Sequence, residues 1–148
     1  MATLFTGPWN YHERRDGQLG AISKWMQRAH LSPKTRARFD RALDQLRALP
    51  KTSWSKPNPA SNIGDHIYVI RFSDVTNQQL RVFGHFHDGH GCFVMTFDGT
   101  EKDNVYYPAN YQAVGKRHKA TCDSDFQGAT LEFEDRCPVC GHEENGAA

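Results

Sequence analysis

Two stretches of this chain place chemically capable side chains at regular spacing. Residues 66–73 (HIYVIRFS) and 79–87 (QLRVFGHFH) are rich in β-branched and aromatic residues and read as β-strands. Side chains alternate faces along a strand, so Leu80, Val82, Gly84 and Phe86 share one face, and Arg81, Phe83, His85 and His87 the other. On the neighbouring strand, Tyr68, Ile70 and Phe72 lie opposite Ile67, Val69 and Arg71. One face can pack as a core while the other offers two arginines and two histidines. Guanidinium presents a fixed fork of donors suited to phosphate, and imidazole exchanges protons near neutral pH. A sheet face that is merely solvated is the competing explanation.

The second constellation is Cys137-Pro-Val-Cys140-Gly-His142, which has zinc-knuckle spacing. In a chain expected to be cytoplasmic, metal binding is favoured over a disulfide. Zinc prefers four ligands in a closed structural site. His118 and Cys122, four residues apart and so on one helical face, supply the other two, with His142 as the alternative ligand. Cys92, inside a strand, reads as a small buried hydrophobe. His85, His87 and His90 surround a turn whose only nearby acid is Asp88, which is poor spacing for a metal.

The elements that must position these residues follow from pattern. A third strand is expected over 91–98, after the Asp88-Gly89 hairpin signal. Ahead of the strands, Leu19, Ile22, Trp25, Met26 and Ala29 have helical spacing, and Asp16 is placed to cap a helix running to about residue 30. Ser32-Pro33 opens a second helix to about 49, with Phe39, Ala42, Leu43, Leu46 and Leu49 as its apolar stripe. Residues 50–62, with three prolines, form a connector. A polar loop spans 99–104, a third helix runs from Tyr107-Pro108 to about 121, and one more strand fits 129–134. The short apolar piece 2–6 is long enough for an edge strand. The expected fold is α+β: two N-terminal helices packed on a three- to four-stranded antiparallel sheet, then a C-terminal helix and a small Cys-containing tail. The expected division is a domain over 1–121 and an acidic tail over 122–148.

Composition adds limits. No apolar run approaches the ~20 residues that span a bilayer, and the N-terminus has no secretory pattern, so a cytoplasmic protein without a membrane partner is expected. The formal net charge of +1 conceals an asymmetry. Through residue 122 there are 17 Lys and Arg against 10 Asp and Glu; beyond it, one arginine faces seven acids. A basic body suits a polyanion, and an acidic tail could fold back onto it. Lys34, Arg38 and Arg41 on the second helix, with Lys116, Arg117 and Lys119 on the third, are the candidate RNA contacts.

In order, the strand block IYVIRFSD, QQLRVFGHF and GCFVMTF resembles the RelE/HigB toxin superfamily, particularly its phage-derived HigB-like branch. The carrying features are Tyr68-x-x-Arg71, Leu80-Arg81-Val82-Phe83, an apolar third strand and a lysine-containing loop before a Pro-opened helix, over about residues 19–120. The resemblance implies a ribosome-associated endoribonuclease that cleaves mRNA by 2′-OH attack without a catalytic cofactor, paired with a helix-turn-helix antitoxin. It implies a catalytic group of Arg71, Arg81, His85, His87, Lys102, Tyr106 and Tyr107. The loop after the third strand departs from the family by carrying Glu101 and Asp103. The alternative is a relative that kept the fold as a nucleic-acid- or protein-binding module, including a phage or mobile-element accessory protein.

Overall fold

A computed structural model describes residues 8–134. The described residues open with β1 (Asn10–Asp16) and β2 (Leu19–Gly20), then α1 (Ala21–Arg28) and α2 (Pro33–Arg47). Strands β3 (Ala60–Asn62), β4 (Tyr68–Ser73), β5 (Gln79–His87), β6 (Cys92–Lys102) and β7 (Val105–Tyr107) follow. The described chain ends with α3 (Tyr111–Ser124), α4 (Phe126–Ala129) and β8 (Thr130–Glu132). Together the strands form one eight-stranded sheet in the order β2-β1-β6-β5-β4-β3, with β7 added on β6 and β8 on β1. No described helix is long and apolar enough to cross a membrane.

This corrects the expected three- to four-stranded antiparallel sheet. The sheet has eight strands and is mixed, because β1 pairs with β6 in parallel. The sequence of β1, NYHERRD, conceals a strand for a physical reason. Both faces of the sheet are covered, so Tyr11 and Glu13 are buried on one side and Asn10 and His12 on the other. No apolar–polar alternation then survives to be read. Residues 2–6, the expected edge strand, lie outside the described residues. Two helix starts also move. Leu19-Gly20 pairs with β1 instead of joining α1, and Tyr107 closes the β6–β7 hairpin, so α3 starts at Tyr111.

Helices α1 and α2 cover one face. Ile22, Trp25, Phe39, Leu43 and Leu46 pack against Tyr11, Ile70, Leu80, Val82, Phe93 and Met95. Ser32 caps α2 by accepting from Thr35 N at 3.1 Å. Trp54, from the proline-bearing connector, is 1% exposed, its ring 4.7 Å from Phe86 and 4.8 Å from Phe93. The connector is therefore part of the core. Helix α3 covers the other face: Tyr111 and Val114 lie over Val69, Phe83 and Phe97, and Cys122 over Cys92 and Val94. A register shift between Phe83 and Gly84 bends β5 against β6, and Thr96 Oγ1 donates to Phe83 O at 3.2 Å across it.

The start of α1 depends on β1. Gly20 at its N-cap has no side chain to offer. Glu13 substitutes from the neighbouring strand: its carboxylate accepts from Ser23 N at 2.8 Å and Ser23 Oγ at 2.6 Å while 4% exposed. A Cβ at Gly20 would come within 1.9 Å of the Glu13 Cδ, so glycine is what admits this contact. An acid at a helix N-terminus also complements the helix dipole. Replacing Glu13 with Ala should cost about 2 kcal/mol, read as a lower urea midpoint with an unchanged slope, whereas Ser23→Ala should cost less because the backbone contact survives.

Candidate functional site at the arginine end of the sheet

Arg71 on β4 and Arg81 on β5 are direct cross-strand partners. Like charges in that position repel, and the structure shows how the pair is held. Arg81 is 5% exposed. Its Nε donates to Glu101 Oε1 at 2.8 Å, Nη2 to Gln79 Oε1 at 2.6 Å, and Nη1 to the Leu80 carbonyl at 2.8 Å and the Phe72 carbonyl at 3.4 Å. Arg71 is half-buried and donates to Ser61 Oγ and, at 2.6 Å, to the Asn58 carbonyl. Desolvation holds its guanidinium below the ordinary arginine value; Arg81 pushes the same way, while Tyr106 and Glu101 oppose. Burial, with Glu101 adding to it, raises the Tyr106 phenol, so it stays protonated as an O–H donor.

One carboxylate thus serves two arginines, leaving the group with an excess positive charge. Gln79 and Glu101, which pair in register and hold Arg81, also line an open cleft of about 510 Å³ at this end of the sheet. The cleft lies between the β4–β5 turn and the β6–β7 turn, and Lys102 and Tyr107 line it too. Gly99 lets the β6–β7 hairpin close over β5, since a Cβ there would meet the Tyr107 carbonyl oxygen at 2.1 Å. Arg71, Arg81, Lys102, Tyr106 and Tyr107 therefore gather at one end of the molecule. Sequence reasoning missed Gln79 and passed over Glu101 as a departure from pattern. The signal available was register: extending both strands puts Glu101 opposite Gln79, two residues from Arg81.

His85 and His87 do not join this group. The stacked pair Phe83–Phe97, 4.6 Å apart, and the overlying Tyr111 separate the two ends of the face. His85 is fully buried, and neither ring nitrogen has a hydrogen-bond partner among the described residues. Arg81 and His85, which the sequence offers on one functional face of the sheet, are both buried, because helix α3 and the β6–β7 hairpin cover that face. At the histidine end, His87 Nδ1 lies 3.3 Å from Asp123 Oδ1. Phe126 is stacked between His87 and His90, each ring centroid 4.1 Å away. His12 approaches Phe126 at 5.1 Å.

The expected RNA contacts fall on opposite layers. Lys34 and Arg41 are exposed on α2, and Arg38 donates to the Ser73 and Asp74 carbonyls, bracing the β4–β5 turn. Lys116 and Arg117 are exposed on α3, while Lys119 pairs with Asp123 at 2.7 Å. Of the expected zinc ligands, Cys137, Cys140 and His142 lie outside the described residues. Cys122 is fully buried against Cys92 and Val94, and burial pushes its thiol up to about 11. His118 packs against Phe97 at 5.9 Å. Among the described residues, no three His, Cys, Asp or Glu side chains are arranged to hold a metal ion. No protein-family model, curated protein or solved structure matches this chain.

Two outcomes follow from this electrostatic arrangement. Glu101→Ala leaves the buried Arg81 beside Arg71 without its carboxylate, and should cost about 3 kcal/mol of stability by urea denaturation. Burial pushes His85 down to about 4, and His12 and His118 likewise. A histidine whose folded value lies below its unfolded value near 6.5 gives its full stability above that value. That stability is lost as pH falls from about 6.5 toward 4, on the order of 3 kcal/mol from His85. Urea midpoints across this range should fall steeply for the parent protein and less steeply for His85→Phe.

Proposed function

We propose that this chain acts on single-stranded RNA, as a toxin-like endoribonuclease whose site is the arginine end of the sheet. The observation that carries this reading is the directly opposed pair Arg71 and Arg81, with one carboxylate, Glu101, paired to Arg81, beside an open polar cleft. A fold that opposes two guanidinium groups bears a repulsive cost that a bound phosphate would relieve, because phosphate accepts from both forks. Lys102, exposed at the rim, supplies a third cation.

The chemistry that suits this group is attack of a ribose 2′-OH on the adjacent phosphorus. The P–O5′ bond breaks, leaving a 2′,3′-cyclic phosphate and a 5′-hydroxyl. Glu101 Oε1 is occupied by Arg81, while Oε2 has no hydrogen bond among the described residues and can take the 2′-OH proton. Tyr106 or Lys102 can return a proton to the leaving oxygen, and the arginines stabilise charge developing on the phosphorane oxygens. The histidines, at the far end of the face, take no part. The proposed substrate is mRNA on the ribosome, as the resemblance to the RelE/HigB superfamily implies, with a helix-turn-helix antitoxin as the proposed partner.

A second reading is favoured by one observation: Arg81 already donates four hydrogen bonds to protein acceptors and Arg71 two. That suits a module that binds RNA without cutting it. Expression in a bacterial host should arrest growth, with cleaved messages ending in 2′,3′-cyclic phosphate. Arg71→Ala should reduce cleavage by on the order of 10²–10³ at a nearly unchanged melting temperature, and Glu101→Gln should reduce cleavage likewise, with some loss of stability, while RNA is still bound. Salt-dependent RNA binding without any cleavage product would establish the second reading, and absence of both would refute each.

A further inference from the structure

We infer that Ser61 is a positioning residue, which with the Asn58 carbonyl holds the Arg71 guanidinium away from Glu101 and leaves that carboxylate open to take a proton. This rests on the ribonuclease reading above. Arg71 has an anion near it and does not pair with it. Glu101 on β6 and Tyr106 on β7 both act on its charge. A hydrogen bond to an ionised acceptor is roughly twice as strong as one to a neutral acceptor, so an unrestrained guanidinium would turn to the carboxylate. Instead, both of its hydrogen bonds among the described residues go to neutral oxygens, Ser61 Oγ and the Asn58 carbonyl. Among the same residues Glu101 forms an ion pair with Arg81 alone.

The segment that restrains Arg71 is built into the edge of the sheet. Ser61 on β3 pairs with Val69 on β4, two residues from Arg71, so its hydroxyl and the guanidinium emerge on the same face. Its backbone is held from both directions. Ala60 is fully buried, and its N donates to the Asn58 carbonyl at 2.8 Å, while Arg71 N donates to the Pro59 carbonyl at 2.9 Å. The Asn58 carboxamide fixes the other end, accepting from Gln45 Nε2 at 3.0 Å and donating to the Ser53 carbonyl at 2.9 Å. A guanidinium carries five N–H donors; two are used here, and the others can meet phosphate. The charged and titratable groups around Glu101 are Arg81 from β5, Arg71 from β4 and Tyr106 from β7, with Lys102 next to it on β6 and Tyr111 of α3 acting on Tyr106. Without the Ser61 hydroxyl, Arg71 keeps one neutral acceptor and Glu101 Oε2 becomes its better partner. That single pairing removes a base and a phosphate-binding cation together.

Cleavage of ribosome-bound message by the full chain, followed over a range of pH for the parent, Ser61→Ala and Ser61→Thr, tests this. Ser61→Ala should lower kcat by on the order of tenfold with KM nearly unchanged, and Ser61→Thr, which keeps the hydroxyl, should restore it. A carboxylate beside a second guanidinium keeps its charge to lower pH, so the acid limb of the rate profile should move to lower pH in Ser61→Ala. In an Arg71→Ala background the same substitution should change nothing further, because no guanidinium remains at that position to capture the carboxylate. A crystal structure of Ser61→Ala should show Arg71 paired with Glu101. Parent kinetics in Ser61→Ala, an additive loss in the double variant, or Arg71 still turned from Glu101 in that crystal structure overturns the positioning role and leaves the ribonuclease reading standing. Absence of cleavage by the parent overturns both.

Discussion

The parallel pairing of β1 with β6 is the contact on which the rest of this structure depends. It places Tyr11 beside Phe93 and Glu13 beside Met95, joining the start of the chain to the centre of the sheet. Tyr11 then reaches across to donate to the Leu43 carbonyl at 2.7 Å, tying α2 to the sheet, and Glu13 starts α1. On its other edge β1 receives β8, in register from His12↔Glu132 to Arg14↔Thr130. Both helical layers are thus anchored through one strand. A parallel strand must be covered on both faces, and this one is.

The same pairing decides where the acidic segment goes. Residues 123–134 neither float nor cover the arginine face. Glu134 pairs with Arg47 at 2.5 Å, and Phe133 packs against the core formed by α1 and α2. Burial alone would lower the Arg47 guanidinium, but Glu134 overrides it and holds the group above its ordinary value. The Arg36 guanidinium lies 5.6 Å from the centroid of the Phe133 ring. Phe133 and Glu134 are therefore engaged on the α1–α2 side of the sheet, while Asp123 pairs with Lys119 and His87 on the other.

Charge and apolar packing together divide the α3-covered face in two. Phe83, Phe97 and Tyr111 fill its middle. Beyond them on one side stand Arg71, Arg81, Gln79 and Glu101, joined to protein partners by hydrogen bonds and lying beside an open cleft. On the other side stand histidines held neutral by desolvation. The first environment suits binding an anion from solvent, whereas the second couples the fold to pH. Strand alternation puts all these residues on one face, yet a strand rises about 3.3 Å per residue, so Arg81 and His85 stand too far apart to act on one atom.

By itself the sequence determined the locally encoded parts. The Ser32-Pro33 start of α2, strands β4 and β5, the apolar first part of β6 and the faces to which Leu80, Val82 and Arg81 belong follow from capping, β-branching and alternation, which need no partner; residues 99–102, expected as a polar loop, continue β6. Tertiary structure decided the rest. β1 is polar in sequence because its burial is completed on both faces by helices distant in the chain. Glu101 acquires a role only through the register that sets it against Gln79 and Arg81. His85 reads as a solvent-facing proton shuttle until α3 is laid over it. In each case the deciding energy is a contact between segments remote in sequence, and residue types alone do not encode which segments meet.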